Sequence, residues 1–282
     1  MARQLGILAH AFGQKPLSQL ALEVGKAGFG TVQLALSKAL SDIDCSTGRL
    51  SPGLGHHVAE AFDRNGVRIA VLGCYIDPIH PDSDERRRNV RRFKEHLKYA
   101  RDFGCSVVAT ETGHLSTYMK DFPTDYHKKA WGILRHTVYE LSEEAEKWGV
   151  TVGIEPAVSL VAQTPEEMRR LLEEVPSTAL GVVLDGCNLL EAGNVDRQDE
   201  IFRTAFELFG DRIVSFHAKD ARIRHGGARG KAALGAGDVN VPLFLSLAQQ
   251  YKPFADITLE GVEGEMIAQS LDYWQQLWEV RV

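Results

Sequence analysis

Long apolar runs are missing from this chain. No stretch approaches the roughly 18 apolar residues of a membrane-spanning helix, and the mean hydropathy is −0.18. The first ten residues, Met1 to His10, hold an apolar segment too short and too strand-like for a secretory leader. These absences predict a soluble, cytoplasmic protein without a membrane partner. Excess basic charge is missing too. The formal net charge is −6 and the pI about 5.9, so nucleic acid, which needs a basic face, is not an expected partner. Cysteine is scarce. Cys45, Cys74, Cys105 and Cys187 stand far apart with no CxxC pair, which argues against a zinc knuckle and fits reduced, mostly buried thiols. Low-complexity tracts are absent, and no GxGxxG follows the first strand-like run, so a dinucleotide-binding sheet lacks its main signature.

What the 282 residues do contain is an alternation of short apolar runs and longer amphipathic segments. The runs are Leu5–Ala9, Thr31–Leu36, Arg68–Cys74, Ser106–Thr110, Thr151–Glu155, Leu180–Asp185, Arg212–His217 and Asp256–Glu260. Continuous apolar character suits strands buried on both faces, as in a parallel sheet. Helical patterns lie between them: Leu17–Ala27, His56–Asn65, Arg86–Phe103, His127–Trp148, a segment opening at Thr164-Pro165-Glu166-Glu167, Leu243–Gln250 and Met266–Val280. Gly28, Gly104 and Gly149 close three of them. Eight strands alternating with helices and no linker predict one domain over residues 1–282, a single (β/α)8 TIM barrel. The glycine-rich, basic stretch Arg222–Gly237 falls after the seventh strand, as a solvated loop or a mobile lid over the rim.

Barrel enzymes place their chemistry where strands end. The fifth strand ends in Glu155, the sixth in Asp185, the seventh in His217 and the eighth in Glu260. Each alone is an ordinary rim residue or turn former. Together they put three carboxylates and an imidazole on neighbouring strands at one level, with no lysine or arginine expected at those rungs. Carboxylates so crowded repel one another, and a dication relieves the repulsion. Oxygen-rich donors with one histidine suit Mn²⁺, with Mg²⁺, Co²⁺ or Zn²⁺ as alternatives. Four protein ligands leave two octahedral positions for adjacent oxygens of a sugar.

Ile154-Glu155-Pro156, Leu184-Asp185-x-x-Asn188, His217-Ala218-Lys219-Asp220, Gly235-x-Gly237-Asp238-Val239 and Leu259-Glu260-Gly261 recur here in an order and spacing that resembles the xylose isomerase-like barrel superfamily, the sugar phosphate isomerase/epimerase group. That resemblance covers most of the chain and implies a metal-dependent isomerase or epimerase of ketoses or keto-sugars, working by proton transfer through an enediolate. It implies Glu155 and Glu260 as the acid–base pair. Where the group carries a helper histidine, this chain has Asn188, which orients an oxygen but does not shuttle a proton. The group's rim arginine corresponds to Arg222 or Arg224.

Substrate contacts are expected from Asn188, Arg222, Lys219, His10 and Glu111. Weaker rim candidates are Tyr75, His80 and His114, while Lys219 has the option of pairing with Asp220. Trp274 and Trp278, spaced i, i+4, suit packing or a homodimer or tetramer surface. The lack of a phosphate loop favours an unphosphorylated carbohydrate. Three other readings stay open: a dehydratase or lyase on an inosose or keto-glycoside with the same metal site, an AP endonuclease, and a non-catalytic sugar-binding barrel.

Overall fold

The computed structural model of the protein describes residues 4–116, 125–223 and 230–279. Eight parallel strands close into a barrel: β1 (Gly6–Leu8), β2 (Thr31–Leu34), β3 (Arg68–Gly73), β4 (Val107–Glu111), β5 (Thr151–Glu155), β6 (Leu180–Asp185), β7 (Ile213–Ala218) and, last around the ring, β10 (Asp256–Leu259). Strand β10 pairs with both β7 and β1, which closes the ring. The expected eight-stranded barrel is therefore the fold. Expected strand bounds hold at β5 and β6 and differ by one or two residues elsewhere. The largest difference is at β2, which stops at Leu34 because the short helix α2 (Leu36–Ala39) begins at once.

Strand period explains the core. Alternate residues such as Val152, Ile154, Val182, Leu184, Phe216, Ile257 and Leu259 belong to the large apolar cluster shared with the surrounding helices. The other face supplies the smaller cluster of Val71, Ala109 and Val183 with Val107, joined by Ala70 and Val214 where the strand register shifts. Burying each large aliphatic or aromatic side chain contributes about 1.5–3 kcal/mol. Helix starts follow their local sequence. The Ser51 and Thr164 hydroxyls accept the amides of Leu54 and Glu167, each with proline in the first turn, and the Asp82 carboxylate accepts Asp84 and Glu85 amides. These caps open α3 (Pro52–Asp63), the helix Pro165–Glu174 and α4 (Ser83–Tyr99), α1 being Leu17–Lys26. Gly149 ends Tyr126–Trp148 in the left-handed region at φ 61°. By contrast Gly104, also at positive φ, lies beyond a turn that already ended α4 at Tyr99, so the helix is shorter than its periodicity predicts. Cys74, Cys105 and Cys187 are buried and Cys45 is half-buried, and none of the four forms a disulfide. Among the described residues no helix is long and apolar enough to cross a membrane. Trp274 is buried against the core; the Trp278 side chain lies outside the described residues.

The described residues after β7 include two short paired strands. Asp220–Arg222 (β8) and Gly230–Ala232 (β9) form an antiparallel hairpin, while Arg224 and His225 lie outside the described residues. The buried Asp220 carboxylate pins this segment by accepting the amides of Ala221, Gly235, Gly237 and Val239 at 2.8–3.1 Å. A side chain at Gly237 would bring its Cβ within 2.1 Å of Asp220 Oδ1, so glycine lets the backbone close on the carboxylate. Asp220→Ala leaves these amides without their acceptor and should cost about 3 kcal/mol of unfolding free energy, with Asp220→Asn costing less. Urea denaturation measures both; a loss below about 0.5 kcal/mol in Asp220→Ala would mean that other contacts hold the segment.

Candidate metal centre

Four strands deliver the cluster. Glu155 ends β5, Asp185 ends β6, His217 lies one residue before the end of β7, and Glu260 follows β10 directly. Register places Asp185 beside His217, and Thr258 beside His217 with Glu260 two residues further along. All four therefore share the inward parity at the C-terminal mouth. One ligand atom from each lies within 4.8 Å of every other. Asp185 and His217 are 0 % and 1 % exposed, so these charges are desolvated.

Polar partners define how each group faces. His217 Nδ1 points at the carboxylates, 2.6 Å from Glu260 Oε2 and 3.4 Å from Glu155 Oε2. Its Nε2 lies 2.9 Å from Gln33 Oε1, while the Gln33 amide donates to the Tyr75 hydroxyl at 3.0 Å. An acceptor at Nε2 keeps the proton there and turns the Nδ1 lone pair toward the cluster. Asp185 Oδ1 accepts the Asn188 backbone amide at 3.1 Å, and Oδ2 is buried with no hydrogen-bond partner. Asn188 donates from Nδ2 to Glu155 Oε1 at 2.7 Å.

Lys219 corrects an expectation. Its Nζ donates to Glu260 Oε1 at 2.8 Å and Asn188 Oδ1 at 2.9 Å, and stands 3.9 Å from Asp185 Oδ2. A cation does occupy these rungs, because residue 219 shares the parity of residue 217 and its long stem folds back over the cluster. Lys219 thus pairs with the cluster rather than with Asp220. Burial pushes Asp185 up to about 7, helped by the Glu260 and Glu155 charges and opposed by Lys219. Burial also acts against charge on Glu260, yet His217 and Lys219 hold its carboxyl far below the usual range. The His217 imidazole is raised well above its ordinary value by Glu155 and Glu260, against desolvation.

These residues fit a divalent cation. Three carboxylates against one ammonium leave a net negative charge when His217 is neutral, and the buried Asp185 Oδ2 lacks a hydrogen-bond partner. An oxygen-rich set with one imidazole suits a hard or borderline dication.

Around the centre, His10 sits in a 3-10 turn after β1, with its ring edge-on to Tyr75 at 6.3 Å and its pKa lowered by burial and by Lys38. Glu111 ends β4 in register with Glu155, its pKa raised by burial and by that neighbour, and lies 3.6 Å from the His114 ring. Arg222 is exposed at the end of β8, and no contact to the four clustered residues is seen for it among the described residues. Sequence reasoning missed Gln33, although a glutamine 1 % exposed within the strand Thr31-Val32-Gln33-Leu34 is a legible signal.

Residues 22–277 match the family model described as xylose isomerase-like TIM barrel. The structure is similar to that of a D-tagatose 3-epimerase-like protein, at 18% identity over 98% of this chain and 97% of that chain with a TM-score of 0.77. It is similar to 3-keto-D-glucoside 4-epimerase from E. coli, at 14% identity over 97% and 99% with a TM-score of 0.75. A xylose isomerase-like TIM barrel protein from Mycobacterium smegmatis in complex with magnesium aligns at 16% identity over 96% and 97% with a TM-score of 0.69. At these identities the likeness is one of fold. No curated protein matches the sequence.

Gln33→Leu removes the acceptor that orients His217. It should weaken divalent-metal binding by about 10- to 100-fold while leaving the barrel folded. Competition with a chelating indicator measures this, and an unchanged dissociation constant would show that Gln33 does not set the imidazole.

Proposed function

The chain belongs to the xylose isomerase-like TIM barrel family, and on that premise we propose that it is a divalent-metal-dependent isomerase or epimerase of ketoses or keto-sugars, acting by proton transfer at a carbon beside a carbonyl. The observation that carries this reading is the buried convergence of Glu155, Asp185, His217 and Glu260. Those four residues would hold the ion, with Mn²⁺ preferred for a donor set of three oxygens and one nitrogen. A bound dication supplies polarisation of the substrate carbonyl, which acidifies the neighbouring C–H.

The protein's own groups supply the rest. Glu155 and Glu260 stand at the two ends of the strand arc β5-β6-β7-β10, so they flank whatever binds over Asp185 and His217. One removes the proton and the other returns it from the opposite side, which inverts a carbon; return from the same side at the neighbouring carbon gives isomerisation. Lys219 remains charged, its pKa raised by Asp185 and Glu260 against burial, and offers a cationic donor to oxygen that gains charge as the proton leaves. Asn188, bridging Glu155 and Lys219, positions both without titrating. His10 and Glu111 extend the polar wall toward the sugar hydroxyls.

A second reading, a dehydratase or lyase on an inosose or keto-glycoside, stands beside it because Asn188, an amide, departs from the helper imidazole of the epimerase pattern. It shares the first proton transfer and then expels a leaving group.

Purified protein should contain about one equivalent of a divalent metal, removable by chelator and restored by Mn²⁺. Less than about a tenth of an equivalent, with no gain in sugar binding on adding Mn²⁺, would favour a non-catalytic barrel. With Mn²⁺ and D2O, a panel of ketoses and keto-sugars should reveal deuterium uptake at a single carbon, whereas loss of water or of a glycosidic group identifies the lyase. Glu155→Gln and Glu260→Gln should each slow exchange by about 10²- to 10⁴-fold. Full exchange in either variant would remove that residue from the acid–base pair.

A further inference from the structure

A second cavity lies outside the metal centre on the same end of the barrel. It has a volume of about 530 Å³ and sits between the segment after β2, the end of β3 and α4. Two cations line it, Lys38 and Arg92. Lys38 is exposed, and its Nζ rests 3.9 Å over the Tyr75 ring. Arg92 is half-buried; it donates to the Tyr75 carbonyl, and its Nε is buried without any hydrogen-bond partner.

The acids nearby are turned to other donors. Glu95, on the same helix, accepts the amides of Gly48 and Leu50 at 2.7 and 2.9 Å. Asp44 accepts the Ser46 amide and hydroxyl at 3.0 and 2.6 Å and pairs with Arg49 at 3.1 Å. No carboxylate among the described residues forms an ion pair with Arg92. A partly desolvated guanidinium without a counter-charge is costly, and its planar fork matches a carboxylate or phosphate oxygen pair. Hydroxyls of Ser37, Ser41 and Thr47 on the same wall add neutral donors.

We infer that this cavity binds an oxyanionic group, a carboxylate or a phosphate, between Arg92 and Lys38. Its volume exceeds what one such group fills, leaving room for a sugar-sized remainder. Tyr75 forms the wall toward the metal centre, where its hydroxyl meets Gln33, the residue that holds His217. The anionic group therefore comes either from a free anion or from the far end of the sugar; the second source rests on the reading of the metal centre given above.

Calorimetric titration of the full-length protein with inorganic sulfate, at fixed ionic strength in chloride, tests the site. Saturable binding is expected, weakened on the order of tenfold in Lys38→Met and more in Arg92→Met. Arg92→Lys keeps the charge and loses the fork, so intermediate binding is expected even if Arg92→Met fails to fold. Absence of saturable binding to the wild-type protein, or unchanged binding in both Lys38→Met and Arg92→Lys, overturns the inference. A sugar phosphate or sugar acid that competes with sulfate, and whose exchange shows a raised KM with unaltered kcat in Lys38→Met, identifies the substrate's own group as the occupant. Sulfate binding that leaves exchange untouched identifies a free anion. If no sugar exchanges deuterium, the reading of the metal centre fails, while the titration still decides the cavity.

Discussion

Mutual repulsion among three buried carboxylates governs the mouth of this barrel. Glu155, Asp185 and Glu260 bring their oxygens into a space under 5 Å across with the His217 imidazole, where little water reaches. Two like charges about 4 Å apart cost on the order of 4 kcal/mol near a protein surface, and desolvation adds to that. Such an arrangement persists only with positive charge close by. Lys219 supplies one unit from β7's extension, and a proton on His217 supplies another when no metal does so. The proposed dication would replace that proton, because Nδ1 already faces the carboxylates while Gln33 occupies Nε2. Metal and proton would thus compete for the same lone pair, while the Gln33 bond at Nε2 serves either state.

The barrel and the cluster were legible for one reason. A parallel strand buried on both faces reads as a continuous apolar run, and the first polar residue after such a run marks the rim. Glu155, Asp185, His217 and Glu260 each interrupt an apolar run at its C-terminal end, so their common level followed from strand count alone. Asn188 was also legible, being three residues past Asp185 in a short turn whose backbone amide caps the Asp185 carboxylate while its side chain reaches Glu155.

Reach and pairing were less legible. Lys219 sits beyond the strand end by position, and only its four-carbon stem brings Nζ back to Glu260. Gln33 acts across the barrel from His217, 184 positions away in the chain, so no local pattern joins them. The helix bound at Tyr99 shows a further gap, since periodicity continues to Phe103 while the backbone has already turned. Within the Arg222–Gly237 stretch, read as a loop or lid, the placement of Gly235 and Gly237 was not legible because it comes from one carboxylate, Asp220, serving backbone amides that carry no sequence signal of their own.

Tyr75 joins what would otherwise be two separate features. Its hydroxyl belongs to the chain Tyr75–Gln33–His217, its ring carries Lys38 on one face and meets His10 edge-on, and its carbonyl receives Arg92. A group filling the neighbouring cavity would draw Lys38 and Arg92 toward itself, and both press on this one residue. Movement of the Tyr75 hydroxyl would then be felt at Gln33, and through it at the nitrogen that keeps the His217 lone pair aimed inward. Buried polar chains of this kind hold their members in one geometry only while each link is satisfied. The cation-lined cavity and the carboxylate cluster are, on that ground, better regarded as two charged ends of a single polar network than as neighbours by accident of folding.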